Sequence, residues 1–422
     1  MEEAGEWEGD FDPFADPEER RVLFAVLDSF RQYRRTAHYN VTHVRRQNFY
    51  ALPSSQWELL ASPPFLILDS FNAVDDAIDA NAEIADKILE AGLAAYGLDN
   101  KATSPKAFNT QGLKATQHGA SPSTARPAWH DTTTTRDLEK ARSTIRQFYR
   151  DWSEEGLKER SDSYEPVRLA LSKHFKHISP TSRHQIQILV PGAGLGRLVF
   201  DLVQDGYSAE GNEISYHQLL ASHFILNRTT VANEFILYPW ALHFDNHLSR
   251  DHQLQKVMIP DVHPAKALYE ASQGHEVPAS ERMSMTAADF CVQYRSEGEE
   301  SRFDAVITVF FIDTAPNLLN YIETVRHCLK SGGIWINTGP LLWHSGKEQR
   351  NDDERKPSEG RNLGIGEAGS VELTHDEVMK LLEYYGFEII NSEETAQAGY
   401  IDNPRSMQPH TFKPQHWIAR NK

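Results

Sequence analysis

A short apolar run, a glycine-rich loop, an amphipathic segment and a second run ending in an acid follow one another in IQILVPGAGLGRLVFDLVQDGYSAEGNEIS, residues 186–215. That order reads as strand, loop, helix, strand, the opening of a nucleotide-binding α/β unit. Gly192, Gly194 and Gly196 let the backbone approach a ligand where a Cβ would clash. Glu213, at the end of the second strand, stands where ribose hydroxyls need an acceptor; the structural alternative is a carboxylate at the sheet edge. The spacing GxGxG, with Arg197 following, suits S-adenosylmethionine (SAM) better than it suits a dinucleotide. A sulfonium cofactor carries no pyrophosphate and needs no phosphate-sized nest at the helix N-terminus.

The flanking pattern extends this unit. FDAVITVFFID, from Phe303, is a mostly apolar strand ending in an acid; NLLNYIETVRHCLKSGG is a helix expected to close on its glycines. IWINTGPLL is a further strand, and VELTHDEVMKLLEYYGFEII a late helix and strand opened by a capping box of Thr374 and Glu377. Strands alternating with helices imply a parallel sheet covered on both faces. The fold class is therefore α/β, a Rossmann-like class I SAM-dependent methyltransferase domain over residues 183–422. Residues 1–182 form an N-terminal helical region, because apolar positions recur at helical spacing in VLFAVLDSFRQYRRTAHYN and AVDDAIDANAEIADKILEAGLAAYGL. A Ser-, Thr-, Pro- and Gly-rich stretch at about 99–135 interrupts that region as a mobile insertion. Residues 347–370 read as a second, charged insertion.

Composition narrows the function. A hydrophobic content of 40% in 422 residues supports a substantial core, so global disorder is excluded. The net charge of -17 argues against nucleic acid as a partner, since phosphate neutralisation needs clustered Lys and Arg. No apolar run is long enough to span a bilayer, and the acidic start resembles neither a signal peptide nor a mitochondrial presequence. Cys291 and Cys328 are too few for a disulfide framework, which points to a reduced, cytoplasmic and also nuclear-compatible protein. A homodimer is compatible with this reading. His243, His247 and His252 lack the accompanying ligands of a metal site, and methyl transfer needs none, so no metal is expected. The YPW run, Tyr238 to Trp240, reads as packing between sheet and helix.

At VPGAGLGRL, GNEIS, YPW, FFIDTA and LKSGGIWINTGPLLWH the chain resembles the carnosine N-methyltransferase family, also called the N2227-like family. The resemblance includes STIRQFYRDWSEEG, upstream of the nucleotide-binding unit, which methyltransferases in general do not carry. It implies transfer of methyl from SAM to an imidazole nitrogen of carnosine, giving anserine, or to a related His-containing di- or tripeptide. A protein histidine methyltransferase and a non-catalytic SAM-fold scaffold are the alternatives.

The resemblance also implies roles for single residues. Gln147 and Arg150, three apart on one helix face, would reach the cofactor, with Arg150 on its methionine carboxylate. Asp289 would accept from the adenine amino group, Phe290 would pack on the ring, and Val309 would line the pocket through its backbone. Asp313 would hold the substrate imidazole, with His344 as a second partner and Tyr321 bonding cofactor or substrate. Core packing with a satisfied polar tip is the alternative for Tyr321 and His344. The family's tyrosine-rich C-terminal stretch is absent from SMQPHTFKPQHWIAR; His410, Phe412 or Tyr400 would take its place in the substrate pocket.

Overall fold

The computed structural model describes residues 14–99, 127–343 and 369–422. They divide into two compact units, 1–145 and 146–422. In the first, α1 (Pro17–Ala37) starts where the Asp16 side chain accepts the Glu18 N–H at 2.7 Å, with proline at the first helical position. A π-helical turn, His38–His43, joins it to α2 (Val44–Tyr50), followed by α3 (Ser54–Ala61) and α4 (Ile67–Ala95). Leu23, Leu27 and Phe30 of α1 and Val74, Ile78 and Ile88 of α4 are buried, and the two helices pack together. A polar rung runs along the same pair. His38 bonds Asp75 at 2.8 Å and Asp79 at 3.0 Å, and Arg34 bonds Asp79 and Asp86.

The second unit is built on a seven-stranded sheet of order β5-β2-β1-β6-β7-β9-β8. The strands are β1 (Gln187–Pro191), β2 (Ser208–Glu213), β5 (Met283–Ala287), β6 (Phe303–Val309), β7 (Leu329–Gly339), β8 (Phe387–Glu394) and β9 (Gln415–Asn421). The first five run parallel; β9 inserts antiparallel between β7 and β8. β3 (Phe235–Leu237) and β4 (Val257–Ile259) form a separate antiparallel ribbon. This strand order, with its antiparallel β9, is that of the class I methyltransferase sheet. The N-terminal helical region and the α/β sheet are both as expected, but β9 and the ribbon lay in stretches with no strand signal.

Alternation places the core on both faces, as a parallel sheet requires. Ile188, Val190, Ala305, Ile307, Ile334 and Ile336 face one layer with Val167, Leu171, Val199 and Leu202. Leu189, Val306, Trp335 and Trp417 face the other, with Leu318, Ile322, Val325 and Leu382. The covering helices of the unit are α5 (Thr135–Trp152), α6 (Leu157–His174), α7 (Arg197–Gln204), α8 (Tyr216–Asn227), α9 (Arg250–Gln253), α10 (Pro264–Ser272), α11 (Phe290–Gln293), α12 (Leu318–Cys328) and α13 (His375–Tyr384).

Three boundaries differ from the sequence expectation. The catalytic unit begins inside α5 rather than at 183, because α6 contributes Val167 and Leu171 to the sheet's core. The glycines of LKSGG do not close α12. That helix ends at Cys328, and Gly332 and Gly333 lie inside β7, where the pairing with β6 shifts register between Phe303 and Ala305. β6 stops at Val309, so Asp313 sits four residues beyond it in a short 3₁₀ turn, Ile312–Thr314. The capping box at α13 is present, with the Thr374 N–H donating to Glu377 at 2.8 Å. Residues 100–126, His344 and most of the 347–370 insertion lie outside the described residues.

Candidate active site

Open α/β sheets bind ligands beyond the carboxyl ends of their strands, where neighbouring strands lead the chain in opposite directions. Here β1 lies between β2 and β6, so the point of divergence is the loop after β1. In that loop Gly192, Gly194 and Gly196 have φ of 66°, 57° and 76°. A Cβ on Gly192 would stand 2.5 Å from the Phe311 ring, and one on Gly194 would stand 3.2 Å from Gln147 Nε2. Both positions combine a left-handed backbone with a close neighbour, which glycine alone tolerates.

Glu213 ends β2 and is 6% exposed. Its Oε2 accepts the Gly194 N–H at 3.0 Å, and its Oε1 accepts from Ile214 and Ser215 at 2.9 Å each. Burial pushes its pKa above the ordinary value, with the three N–H groups pulling against it. The acid therefore ties the glycine loop to the end of β2.

The upstream helix α5 is locked onto the same loop. Trp152 Nε1 donates to the Leu195 carbonyl at 3.1 Å, and Arg197 reaches the Asp151 carbonyl at 2.9 Å while lying over the Trp152 ring. Gln147, 4% exposed, thereby lies against Gly194 and accepts from Gln218 of α8 at 3.2 Å. Arg150 is also buried, but its edge is used within the protein. Nε and Nη2 donate to Asp151 at 2.7 and 3.1 Å, and the guanidinium faces the Tyr400 ring at 4.7 Å. Burial opposes its charge, yet Asp151, Tyr164 and Tyr400 together outweigh this and its pKa stands well above the ordinary value. The bidentate edge that the sequence suggested for a ligand carboxylate is spent on Asp151.

Beyond β5, Asp289 caps α11, its Oδ1 accepting from Cys291 and Val292 at 2.8 and 3.1 Å. Phe290 is buried in an aromatic group with Tyr321 at 5.3 Å and Phe311 at 5.6 Å. Phe311 and Tyr321 stack at 4.8 Å, and the Tyr321 hydroxyl lies 3.3 Å from Thr314 Oγ1. Burial raises the Tyr321 pKa. Val309 ends β6, paired with Thr338 of β7.

The chain turns sharply after Val309. Phe310 has φ of 52°, unusual for an aromatic residue, and its N–H donates to the Thr338 carbonyl at 2.9 Å. The two phenylalanines then diverge: Phe311 covers Gly192, and Phe310 meets Tyr400 at 5.0 Å and Phe412 at 5.9 Å. Asp313 follows, 2% exposed, and its Oδ2 accepts the Leu342 N–H at 2.9 Å. The segment leading to position 344 is held further by Trp343, whose Nε1 donates to the Leu373 carbonyl at 2.9 Å.

Tyr400 is 40% exposed on a C-terminal loop. Glu159 of α6 pins that loop by accepting from the Ile401 and Asp402 N–H groups. Of the three candidates for the missing tyrosine, Tyr400 and Phe412 both flank Phe310, while His410 is exposed and bonds Asp402 through its backbone. Trp240 packs on Tyr149 at 4.9 Å, as expected for the YPW run. His247 bonds the His243 carbonyl at 3.0 Å, and no group able to hold a metal occurs among the described residues. Phe310, Phe311, Gln218 and Glu159 were missed by sequence reasoning. Only FFID carried a signal, an aromatic pair at a strand end beside a candidate acid.

The family model for carnosine N-methyltransferase matches residues 127–422. The chain belongs to the carnosine N-methyltransferase family. It is 34% identical to the Schizosaccharomyces pombe carnosine N-methyltransferase over 408 residues, covering 96% of this chain and 97% of that one. The Mus musculus carnosine N-methyltransferase is 33% identical, with 95% and 86% covered. Among solved structures, a Burkholderia thailandensis 1,6-didemethyltoxoflavin N1-methyltransferase aligns at 14% identity and a TM-score of 0.34, over 68% of this chain and 89% of that one. The fold assignment of this family member rests on its strand order, not on that alignment.

Proposed function

We propose that the protein methylates an imidazole nitrogen of carnosine, giving anserine, or of a closely related His-containing di- or tripeptide, with SAM as the methyl donor. The observation that carries the reading is a buried carboxylate, Asp313, just past the β6 end and two residues from a ring that covers the glycine loop. SAM supplies a methyl group on a sulfonium, open to displacement by a lone pair. Gln147, Glu213 and the loop glycines would hold it, with Asp289, Phe290 and Val309 at the adenine end and Tyr321 in the aromatic wall. Glycine at 192 and 194 keeps the loop tight against Phe311 and Gln147, which would flank the ligand.

A neutral imidazole already has the lone pair it needs, so no strong base is required. The protein's task is to select the tautomer and aim the free nitrogen at the methyl carbon. Asp313 does both by accepting from the other ring N–H. The new bond forms from ring nitrogen to methyl carbon, the carbon–sulfur bond breaks, and the positive charge passes to the ring opposite Asp313. His344 would be a second partner for the substrate. Tyr400, Phe310 and Phe412 form an aromatic wall for the peptide. Two buried cysteines outside any disulfide suit a reducing compartment, cytoplasm or nucleus. Incubation with labelled SAM and carnosine, Gly-Gly-His or a cell extract tests the proposal. Label on carnosine supports it; label on protein alone, or on nothing, rejects it.

A further inference from the structure

Arg146 stands on α5 beside Gln147 and one turn before Arg150, so it shares the face that carries Tyr400. It is partly buried and held unlike Arg150, Arg160 and Arg197 nearby. Arg150 has Asp151, Arg160 has Asp261, and Arg197 has Asp201 and Asp261. Among the described residues Arg146 has no carboxylate at ion-pair distance. Its hydrogen bond is a long one, Nη1 to His243 Nε2 at 3.4 Å, and its buried Nε has no partner.

A guanidinium taken out of water without a partner is costly. Burial lowers the Arg146 pKa, while Asp402 and Glu159 face it without bonding it. Both carboxylates are engaged elsewhere. Glu159 takes the Ile401 and Asp402 N–H groups, and Asp402 takes the His410 N–H at 3.0 Å. The Nε of Arg146 is thus a buried donor without a partner, one helical turn before Arg150, whose guanidinium faces Tyr400. A carboxylate is the ligand that fits such a donor.

We propose that Arg146 binds the free C-terminal carboxylate of the peptide substrate, so the enzyme selects peptides that end in histidine. The inference rests on the reading of the site given above. In such peptides the carboxylate and the imidazole share one Cα, so anchoring the carboxylate limits how the ring meets Asp313. A histidine inside a protein chain has an amide there and loses this contact.

The test compares carnosine with its C-terminal amide on the full-length protein. The wild type is expected to prefer carnosine by on the order of tenfold to a hundredfold in kcat/KM, mostly through KM. Arg146→Gln should bring that ratio close to one, Arg146→Lys should keep part of it, and SAM affinity by calorimetry should not change in either. A wild type that methylates the amide as well as carnosine overturns the inference without any variant. So does an Arg146→Gln protein that keeps the wild-type ratio. If neither peptide is methylated, the proposed function fails, and calorimetric titration of both into the protein with S-adenosylhomocysteine decides the carboxylate contact. Equal affinities, or no binding of either, overturn it.

Discussion

Glu213 and Asp313 are both buried carboxylates at strand ends, yet they are occupied differently. Glu213 satisfies three loop N–H groups, so Glu213→Ala removes the acceptor proposed for the ligand and leaves those donors without their partner. Loss of one charge-assisted hydrogen bond costs about 1.5–3 kcal/mol, and calorimetry should show SAM binding weakened by at least that much. Unchanged affinity would remove Glu213 from the site. Asp313 accepts the Leu342 N–H, in the segment leading to His344. Asp313→Ala should therefore bind SAM near normally and lose roughly 10²-fold or more in turnover with carnosine. Asp313→Asn should retain some activity, because an amide oxygen can still accept the ring N–H. Wild-type rates in Asp313→Ala at saturating substrates would make the carboxylate structural. Both acids were legible in the sequence, Asp313 because it ends the apolar run VITVFFI and Glu213 because it ends the segment that follows the glycine loop and its helix. The tie between Arg150 and Asp151 was not, since adjacency in sequence says nothing about which way two side chains turn.

Elements position these residues. The left-handed Phe310 turns the chain after β6, and that turn separates the ring on the glycine loop from the ring under Tyr400. It is no propensity signal; the Phe310 N–H is held by the Thr338 carbonyl of β7. In the helical unit, His38 offers a pH test. Burial works against its charge, but the bonds to Asp79 and Asp75 prevail and raise its pKa above 6.5. Against burial, Asp75 is lowered below 3.8 by Thr42, Arg46 and His38, and Asp79 by His38 and Arg34. A raised His contributes stability that is complete below its unfolded pKa and lost as pH climbs through the folded one. The lowered acids contribute above their unfolded pKa and lose it as pH falls through the folded one. The α1–α4 rung should hold best between about pH 4 and 6.5. Thermal unfolding of His38→Gln should fall below wild type at pH 6 and approach it by about pH 9. An equal deficit at both pH values would show that the His38 charge contributes nothing.

At the scale of the molecule, the catalytic unit needs its upstream helices. Val167 and Leu171 of α6 pack on the face of Ile188 and Val190, and α5 brings Gln147 to the loop. A chain beginning at Arg183 would expose that face and lack both contacts. It should fold poorly, with weakened SAM binding and lost near-ultraviolet dichroism; full methylation activity from it would sink the dependence. The expected boundary at 183 came from the first strand signal. The observed one lies earlier because helices join a unit through the layer they cover, which a linear pattern does not display.

What the sequence determined by itself is what short-range pattern controls. Alternating apolar strands and helices, the GxGxG spacing, Glu213 at a strand end and the Thr374–Glu377 cap are each set within a few residues, and each appears as read. What the tertiary structure decided is what depends on chain far away. β9 slots between β7 and β8 although its HWIARN run has no strand-like neighbour in sequence. Phe412 and Tyr400 reach Phe310, some ninety to a hundred residues upstream, and Glu159 holds the Tyr400 loop from 242 positions earlier. Hydrogen bonds across a sheet and the burial of aromatic rings are paid for only when the partner is present, so no local preference announces them.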